Sequence, residues 1–383
     1  MKDKIRIALI GTEFMGRAHS NAWRQVAPFF EPELEPILKV VCGRDAGKTE
    51  AFARRWGFED FSTDWRTVAE REDVDVVDLS LPQSLQPEVA IAAAKYGKHI
   101  FCEKPMALTA RAAKDMIREA EKANICHYVN YNYRRSPAVS LAKQIIEEGR
   151  IGDIRHWRGA YLQDWLVDPE VPIGWKMKKE HAGYGPHGDL NSHSIDLAHF
   201  LVGNIESVYC QKRTFINERP IEAGSSTMDT VDVDDASQML VNFDSGALGS
   251  FEATRFATGQ RNANQFEIFG SKGALRWNLE DLNRLEFYSN EDPSHIRGYR
   301  TIIASEPEHP YVGKWWPPGH LIGYEHTFVH AVSDFLSAIS KDQPISPNFS
   351  DGLRVLQVLE AANASADSGQ RVNVQCVHEF QSS

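Results

Sequence analysis

The sequence predicts an α/β first half built on a parallel sheet and an α+β second half built on a mostly antiparallel one. Three observations lead there: strand–helix alternation over the first 128 residues, strands in that stretch that are apolar throughout, and runs of adjacent strands beyond Tyr133. Nearly all-apolar strands separated by helical patterns mean a parallel sheet covered on both faces. Successive strands without intervening helices mean antiparallel pairing.

In the first half Ile5–Ile10, Ile37–Val41, Val74–Leu79, His99–Cys102 and Ile125–Asn130 read as strands, with helices at Gly47–Trp56, Pro87–Tyr96 and Thr109–Lys122. Ligands of such sheets bind at the carboxyl ends of the strands. The second half opens with a helix at Pro137–Glu148, then a long strand, Arg155–Gln163, and an apolar-periodic segment, Leu190–Leu197. Strands follow at Glu206–Phe215, Gln238–Phe243, Ala247–Arg255, Gln265–Phe269, Ala274–Asn278 and Arg284–Tyr288. Gly270 and Gly273 mark a hairpin corner, where positive φ is needed. Helices at Glu325–Ile339 and Ser350–Ser368 close the chain. At 383 residues the chain is too long for one ordinary core, and the division falls at 1–128 and 129–383.

A net charge of −11 offers no basic face for nucleic acid and argues against an anionic membrane surface. Cys42, Cys102, Cys126, Cys210 and Cys376 show no close pairing, the usage of buried reduced thiols in a cytosolic protein. No signal-peptide pattern is visible, because Ile5–Ile10 starts a strand almost at once and stops at Gly11. Nothing approaches the ~18 apolar residues of a membrane span. The expectation is a soluble, cytoplasmic protein with neither nucleic-acid nor membrane partners.

Gly11-Thr12-Glu13-Phe14-Met15-Gly16 follows the first strand and opens a helix, where a dinucleotide fingerprint belongs. Gly11 suits the tight turn and Gly16 the close packing of helix on sheet. Glu13 stands where a middle glycine normally lets backbone approach the pyrophosphate. Its carboxylate is expected to turn outward, or the phosphates to sit displaced. At the end of the second strand Gly43 leaves space, Arg44 tolerates a 2′-phosphate or is simply solvated, and Asp45 is within reach of the ribose. NAD and NADP both stay open.

An apolar strand running into Glu103-Lys104-Pro105 puts an ammonium group at the lip of the sheet. Asp189 and His193 are four apart, which places them on one face if their segment is a helix. A lysine, a carboxylate and an imidazole are what alcohol oxidation needs. A free imidazole titrates at ~6.5, which suits His193 to accept the hydroxyl proton. Lys104 favours alkoxide character, and Asp189 binds a neighbouring hydroxyl or orients the imidazole. His181, His187, His193 and His199 recur every six residues, a spacing that keeps no common helical face, so no metal is expected. Trp157, Trp165, Trp175, Trp315 and Trp316, with Tyr161, Gln163 and Asp164, suit sugar faces and hydroxyls or else belong to the core. His187 is a further pocket candidate, as are His320 and Tyr324, which follow a Pro-Gly loop.

Together these residues resemble the glucose–fructose oxidoreductase / inositol dehydrogenase (Gfo/Idh/MocA) superfamily. The carriers are Gly11…Phe14-Met15-Gly16-Arg17-Ala18-His19, Glu103-Lys104-Pro105, Gly188-Asp189…His193…Asp196 and the hairpin Phe266–Gly273, in family order along nearly the whole chain. Asn132–Val139, Tyr161–Trp165 and Val231–Asp235 resemble, more closely, the sugar and cyclitol dehydrogenases similar to levoglucosan dehydrogenase. The resemblance implies a Rossmann domain followed by an open-faced, mostly antiparallel sheet domain that joins subunits into homodimers or homotetramers. It implies Lys104, Asp189 and His193 as the catalytic set and NAD or NADP as hydride acceptor. Implied cofactor contacts are Gly11, Glu13, Phe14, Met15, Gly16, Arg44, Asp45, Leu81, Pro82, Gln86, Glu103 and Lys104. Implied substrate contacts are Lys104, Tyr133, Gln163, Asp164, Trp165, Trp175, His187, Asp189, His193, His320 and Tyr324. Leu81-Pro82-Gln83-Ser84-Leu85-Gln86 departs from the family's Thr-Pro-Asn-x-x-His, and Tyr184–Gly188 is bulkier than the usual loop. The expected function is NAD(P)-dependent oxidation of a secondary ring hydroxyl of a sugar, anhydrosugar, glycoside or cyclitol. The alternatives are a glycoside-cleaving enzyme that works through a transient 3-keto intermediate and recycles its cofactor, and a ligand-sensing regulator without chemistry.

Overall fold

Six short strands, β1 (Asp3–Ile10), β2 (Leu34–Cys42), β3 (Asp60–Ser62), β4 (Val76–Leu79), β5 (His99–Cys102) and β6 (His127–Val129), pair in parallel in the order β3-β2-β1-β4-β5-β6. All four residues of β4 are buried, as are the last three of β5. Such strands read as unbroken apolar runs because helices cover both faces. The helices are α1 (Phe14–Phe30), α2 (Ala46–Trp56), α3 (Trp65–Glu70), α4 (Gln86–Lys95) and α5 (Ala110–Lys122). Asp45, Asp64 and Thr109 start α2, α3 and α5 by accepting backbone N–H groups with their side chains, the usual relief for orphan amides. The strand order reverses between β1 and β4, so the crevice at their carboxyl ends is where such a sheet takes its ligand.

The computed structural model describes residues 3–374 and divides into two units, one of which runs to Arg135 and takes in Ile322–Leu353 as well. A single division at residue 128 is therefore corrected. The helix Tyr324–Lys341, expected in the second half, belongs to the first unit. Arg135 explains why: its guanidinium meets Asp334 at 2.9 Å and the Ser346 carbonyl at 2.6 Å, while Asn132 donates to Thr327 at 2.8 Å. Phe335 of the same helix packs edge-on against Phe101 of β5 and Trp23 of α1.

The second unit comprises Ser136–Leu321 and the chain from Arg354 onward. Its helices are α6 (Pro137–Glu147), α7 (Lys179–Ala182), α8 (Pro186–Asp189), α9 (Asn191–Leu201) and the greater part of the helix Phe349–Ser368. Its strands are β7 (Ile154–Leu162), β8 (Ile205–Arg213), β9 (Glu218–Pro220), β10 (Met228–Thr230), β11 (Ala236–Phe243), β12 (Leu248–Thr254), β13 (Ala263–Gly270), β14 (Gly273–Asn278), β15 (Arg284–Ser289), β16 (Arg300–Ile303) and β17 (Val372–Asn373). Nine of them form one sheet, β16-β15-β14-β13-β7-β12-β11-β8-β17, antiparallel except where β7 meets β12. Along β11 every second residue is buried, so one sheet face is covered and the other is open. The small β9–β10 ribbon stands apart from that sheet. At the corner between β13 and β14 neither Gly270 nor Gly273 takes the positive φ expected there; close approach requires the glycine instead, since a Cβ on Gly270 would lie 2.1 Å from the Ile151 carbonyl oxygen. Cys42, Cys102, Cys126 and Cys210 are free thiols, and Cys376 lies outside the described residues. No helix among the described residues is long and apolar enough to cross a membrane.

Candidate active site

In the first unit the turn after β1 behaves as its glycines require. Gly11 adopts φ +113°, and a Cβ there would sit 2.2 Å from the Ser80 carbonyl oxygen. A Cβ on Gly16 would lie 2.2 Å from the Gly11 carbonyl oxygen, and one on Gly43 2.4 Å from Thr49 Oγ1. These three positions keep a backbone cradle open between β1, β2 and α1. Glu13 is the N-cap of α1, is exposed, and makes no capping bond with its side chain. No carboxylate therefore occupies the amides of the first turn, which remain available to an anion. This is the donor set a dinucleotide pyrophosphate takes. Exposed Phe14 stacks on Tyr324, ring centroids 6.4 Å apart and 12° from parallel. Met15 is half-buried behind Phe14, and Leu81 and Pro82 are half-buried beyond β4.

If Gly16 holds this cradle open, Gly16→Ala forces the turn apart and weakens NADH binding by about tenfold or more, a loss of roughly 1.4 kcal/mol. Fluorescence titration of the folded variant reads this directly, and unchanged affinity would separate the turn from the cofactor.

Other first-unit candidates divide. Arg44 is exposed, whereas Asp45 accepts the Lys48 N–H at 2.8 Å and so has a helix-capping job. Gln86, expected at the cofactor, is fully buried, donates to the Pro105 carbonyl at 2.8 Å and accepts from Cys102 Sγ at 3.2 Å. These bonds clamp the Glu103-Lys104-Pro105 turn. Tyr133 is buried against Tyr324, 6.3 Å between centroids. Glu103 is buried, and its Oε2 accepts the Lys104 N–H at 3.2 Å. Behind it, His19 lies between Asp78 (2.7 Å) and Glu103 (2.9 Å). Burial opposes charge on that imidazole, but Asp78 and then Glu103 outweigh it and push the pKa up to about 10. Sequence reasoning did not single out Asp78, although an acid inside the apolar run Val76–Leu79 is a legible anomaly.

In the second unit Asp189 and His193 do not share one continuous helix, a correction to the expected segment. Helix α8 ends at Asp189 and α9 begins at Asn191. The His193 N–H bonds the Leu190 carbonyl at 3.1 Å, and Ser192 Oγ donates to the Asp189 carbonyl at 3.2 Å. The tighter i→i−3 bond and the competing hydroxyl interrupt the α-ladder there. Asp189 Oδ2 lies 2.6 Å from Arg255 Nη2 and 3.0 Å from Lys176 Nζ. The Arg255 guanidinium is buried 5.2 Å from the Trp165 ring centroid, and Lys176 Nζ is 5.7 Å from that of Trp175. His193 is buried beside Tyr161, centroids 5.8 Å apart.

Asn262 ties the neighbouring residues together by accepting from Tyr161 Oη and Gln163 Nε2, each at 2.8 Å. Gln163 in turn accepts the Trp165 indole N–H at 2.9 Å. Trp165 and Trp175 are 42% and 45% exposed, large enough faces to receive a ring. Asp164 has internal work: it accepts the Gly259 N–H at 3.1 Å and Arg261 Nη1 at 3.2 Å, which anchors that loop. His187, expected to line the pocket, is fully buried with Nδ1 3.0 Å from Ser237 Oγ and Nε2 3.1 Å from the Leu359 carbonyl. His320 is exposed and meets the Pro317 carbonyl at 2.9 Å. It belongs to the second unit and Tyr324 to the first. Trp157, stacked 5.4 Å from Phe266, and Trp315 are core residues, whereas Trp316 is exposed. Arg255, Lys176 and Asn262 escaped sequence reasoning. Their only signal was a charged residue closing the strand-like run Ala247–Arg255.

Residues 5–131 match the oxidoreductase family with an NAD-binding Rossmann fold, and residues 139–276 match the GFO/IDH/MocA C-terminal domain. The chain is 41% identical to levoglucosan dehydrogenase of Pseudarthrobacter phenanthrenivorans over 97% of its own length and 98% of that protein's. Among solved structures it is similar to an oxidoreductase domain protein from Kribbella flavida, with TM-score 0.95 and 47% identity over 98% of this chain and all of that one. It is also similar to levoglucosan dehydrogenase in complex with NADH and levoglucosan, with TM-score 0.94 and 41% identity over 97% of this chain and all of that one.

Proposed function

Because the chain belongs to the Gfo/Idh/MocA oxidoreductase family, we propose that it is an NAD-dependent dehydrogenase oxidising a secondary ring hydroxyl of a sugar, anhydrosugar, glycoside or cyclitol. The observation that carries the substrate class is the second unit's cluster: Asp189 paired with Arg255 and Lys176, His193 four residues on, and two exposed indoles. The relative solved with levoglucosan supports the same class.

The Gly11–Gly16 turn and the first turn of α1 would hold the dinucleotide. Bound NAD supplies a hydride acceptor. His193 takes the proton of the reacting hydroxyl on its imidazole. The Lys104 ammonium of the first unit stabilises negative charge on substrate oxygen. Asp189, fixed by two cations, accepts from an adjacent hydroxyl, and Trp165 and Trp175 offer faces to the apolar side of the ring. A panel of sugars and cyclitols assayed with NAD by reduced-nicotinamide absorbance tests the reading. Absence of NADH formation across anhydrosugars, pyranoses and inositols would reject it.

Arg255→Met removes the buried partner of Asp189 and is expected to raise KM for the true substrate about tenfold or more, the scale of one charge-assisted hydrogen bond. Saturation kinetics check it. An unchanged KM would make the pair structural.

We also infer a homo-oligomer formed through the open face of the nine-stranded sheet, in a cytoplasmic setting that suits the free thiols. Leu240 and Leu248, 63% and 58% exposed, lie on that face near the ion pairs of Glu267 with Arg158 and Arg276. Light scattering after size exclusion tests the assembly, and a monomer at micromolar concentration would reject it.

A further inference from the structure

The buried cluster around His19 is not used by the chemistry assigned above. The ring contacts Asp78 Oδ1 through Nδ1 at 2.7 Å, and through Nε2 it contacts Glu103 Oε1 at 2.9 Å and Asn130 Nδ2 at 3.2 Å. Against the cost of burial, Asp78 and Glu103 raise the ring's pKa, which favours the imidazolium form that donates from both nitrogens. The cluster continues outward from each acid. Trp23 Nε1 donates to Asp78 Oδ2 at 2.7 Å, Asn130 Nδ2 donates to Glu103 Oε1 at 2.8 Å, and Glu103 Oε2 receives the Lys104 N–H. Ser80 Oγ, 3.3 Å from Nδ1, adds a weaker contact. Phe101 and Phe328 flank the ring at 5.4 and 5.6 Å and keep it dry.

Stability alone is a poor reason for such a cluster, because apolar side chains of similar volume would often serve as well or better than buried charges. Its connectivity is more informative. His19 stands on α1, the helix that opens at the glycine turn, Asp78 on β4, and Glu103 just beyond β5, one residue before Lys104. One side chain thus joins the nucleotide-binding helix to the backbone that carries the lysine.

We propose that His19 is a positioning residue for Lys104, acting through Glu103. The proposal rests on the reading of Lys104 as a catalytic residue. Glu103 is fixed at one oxygen by His19 and Asn130 and at the other by the Lys104 amide, so releasing His19 frees the acid and loosens the lysine. The dinucleotide turn, at the other end of the first turns of α1, is left in place.

The test is His19→Gln, whose amide offers donors at one end and an acceptor at the other, and so cannot donate to both acids. The expected result is a kcat at least ~10-fold lower, with NADH affinity by fluorescence titration and substrate KM each within about threefold of wild type. Glu103→Gln restores a complementary partner for that amide, so the double variant His19→Gln/Glu103→Gln is expected to turn over faster than His19→Gln alone. Nitrogen-15 NMR of the wild-type protein at pH 8 is expected to show His19 protonated at both ring nitrogens. A singly protonated ring would overturn the proposal, as would wild-type kcat in His19→Gln. A merely structural histidine would lower the melting temperature and leave kcat of the folded variant unchanged, with no rescue in the double variant. If His19→Gln does not fold, Asn130→Ala, which removes the other donor to the same oxygen, must show the same kcat-specific loss. Lys104→Ala run in parallel separates the two claims: full turnover there defeats the catalytic reading itself, whereas an inactive Lys104→Ala beside an unaffected His19→Gln defeats only the positioning.

Discussion

Lys104→Ala is expected to lower kcat by at least ~10²-fold while NADH still binds within about threefold of wild type. The size follows from the role. A preorganised charge aimed at an oxygen where negative charge develops is worth ~10²–10³ in rate, because the site meets that charge without reorganising. The alanine variant keeps two bonds of the surrounding turn that do not involve the ammonium. Gln86 clamps the Pro105 carbonyl, and Glu103 bonds the Lys104 backbone N–H. Lys104→Arg restores charge as a planar fork on a longer arm, not as a compact ammonium, and is expected to recover only a small part of the activity. Near-wild-type turnover in the alanine variant, with NADH bound normally, would remove Lys104 from the mechanism.

What could be read from the sequence was what depends on neighbours in the chain. Strands β1, β2, β4 and β5 announce themselves as apolar runs, and the Gly11–Gly16 turn as a backbone that tolerates no Cβ. Strand β3 and helix α3, three and six residues long, are too short for any periodicity to emerge. The helix at Tyr324–Lys341 was legible as a helix but not by address. Its attachment to the first unit is made by Arg135 with Asp334, 199 residues apart, and by Asn132 with Thr327, 195 apart.

The candidate site follows the same rule. Lys104, Asp189 and His193 stood out by residue type and spacing, whereas Arg255 is tied to Asp189 across 66 residues. Gln86, Asp164 and His187 show the converse. Their side chains have the right chemistry to meet a ligand, but internal partners occupy them: the Pro105 carbonyl, the Gly259 amide, and Ser237 with the Leu359 carbonyl. Residue type says what a group can bind, and only the fold says whether that capacity is already used.

His193→Ala is expected to cost at least ~10²-fold in kcat, the usual contribution of a positioned general base. Loss of the imidazole removes the proton acceptor without removing the charges that fix Asp189, because Arg255 and Lys176 contact that carboxylate directly. Substrate KM should therefore change little while kcat falls, the split expected when an interaction matters mainly in the transition state. The deletion also leaves an imidazole-sized space beside Tyr161, whose ring lies 5.8 Å away by centroid and is held through its hydroxyl by Asn262. Added imidazole should then restore turnover in a saturable way in His193→Ala, and do nothing for Lys104→Ala, where the missing group is a charge. Proton transfer through another group would show itself as turnover that stays within about threefold of wild type without imidazole. In that event His193 would be a packing residue of α9, and the base would have to be sought elsewhere.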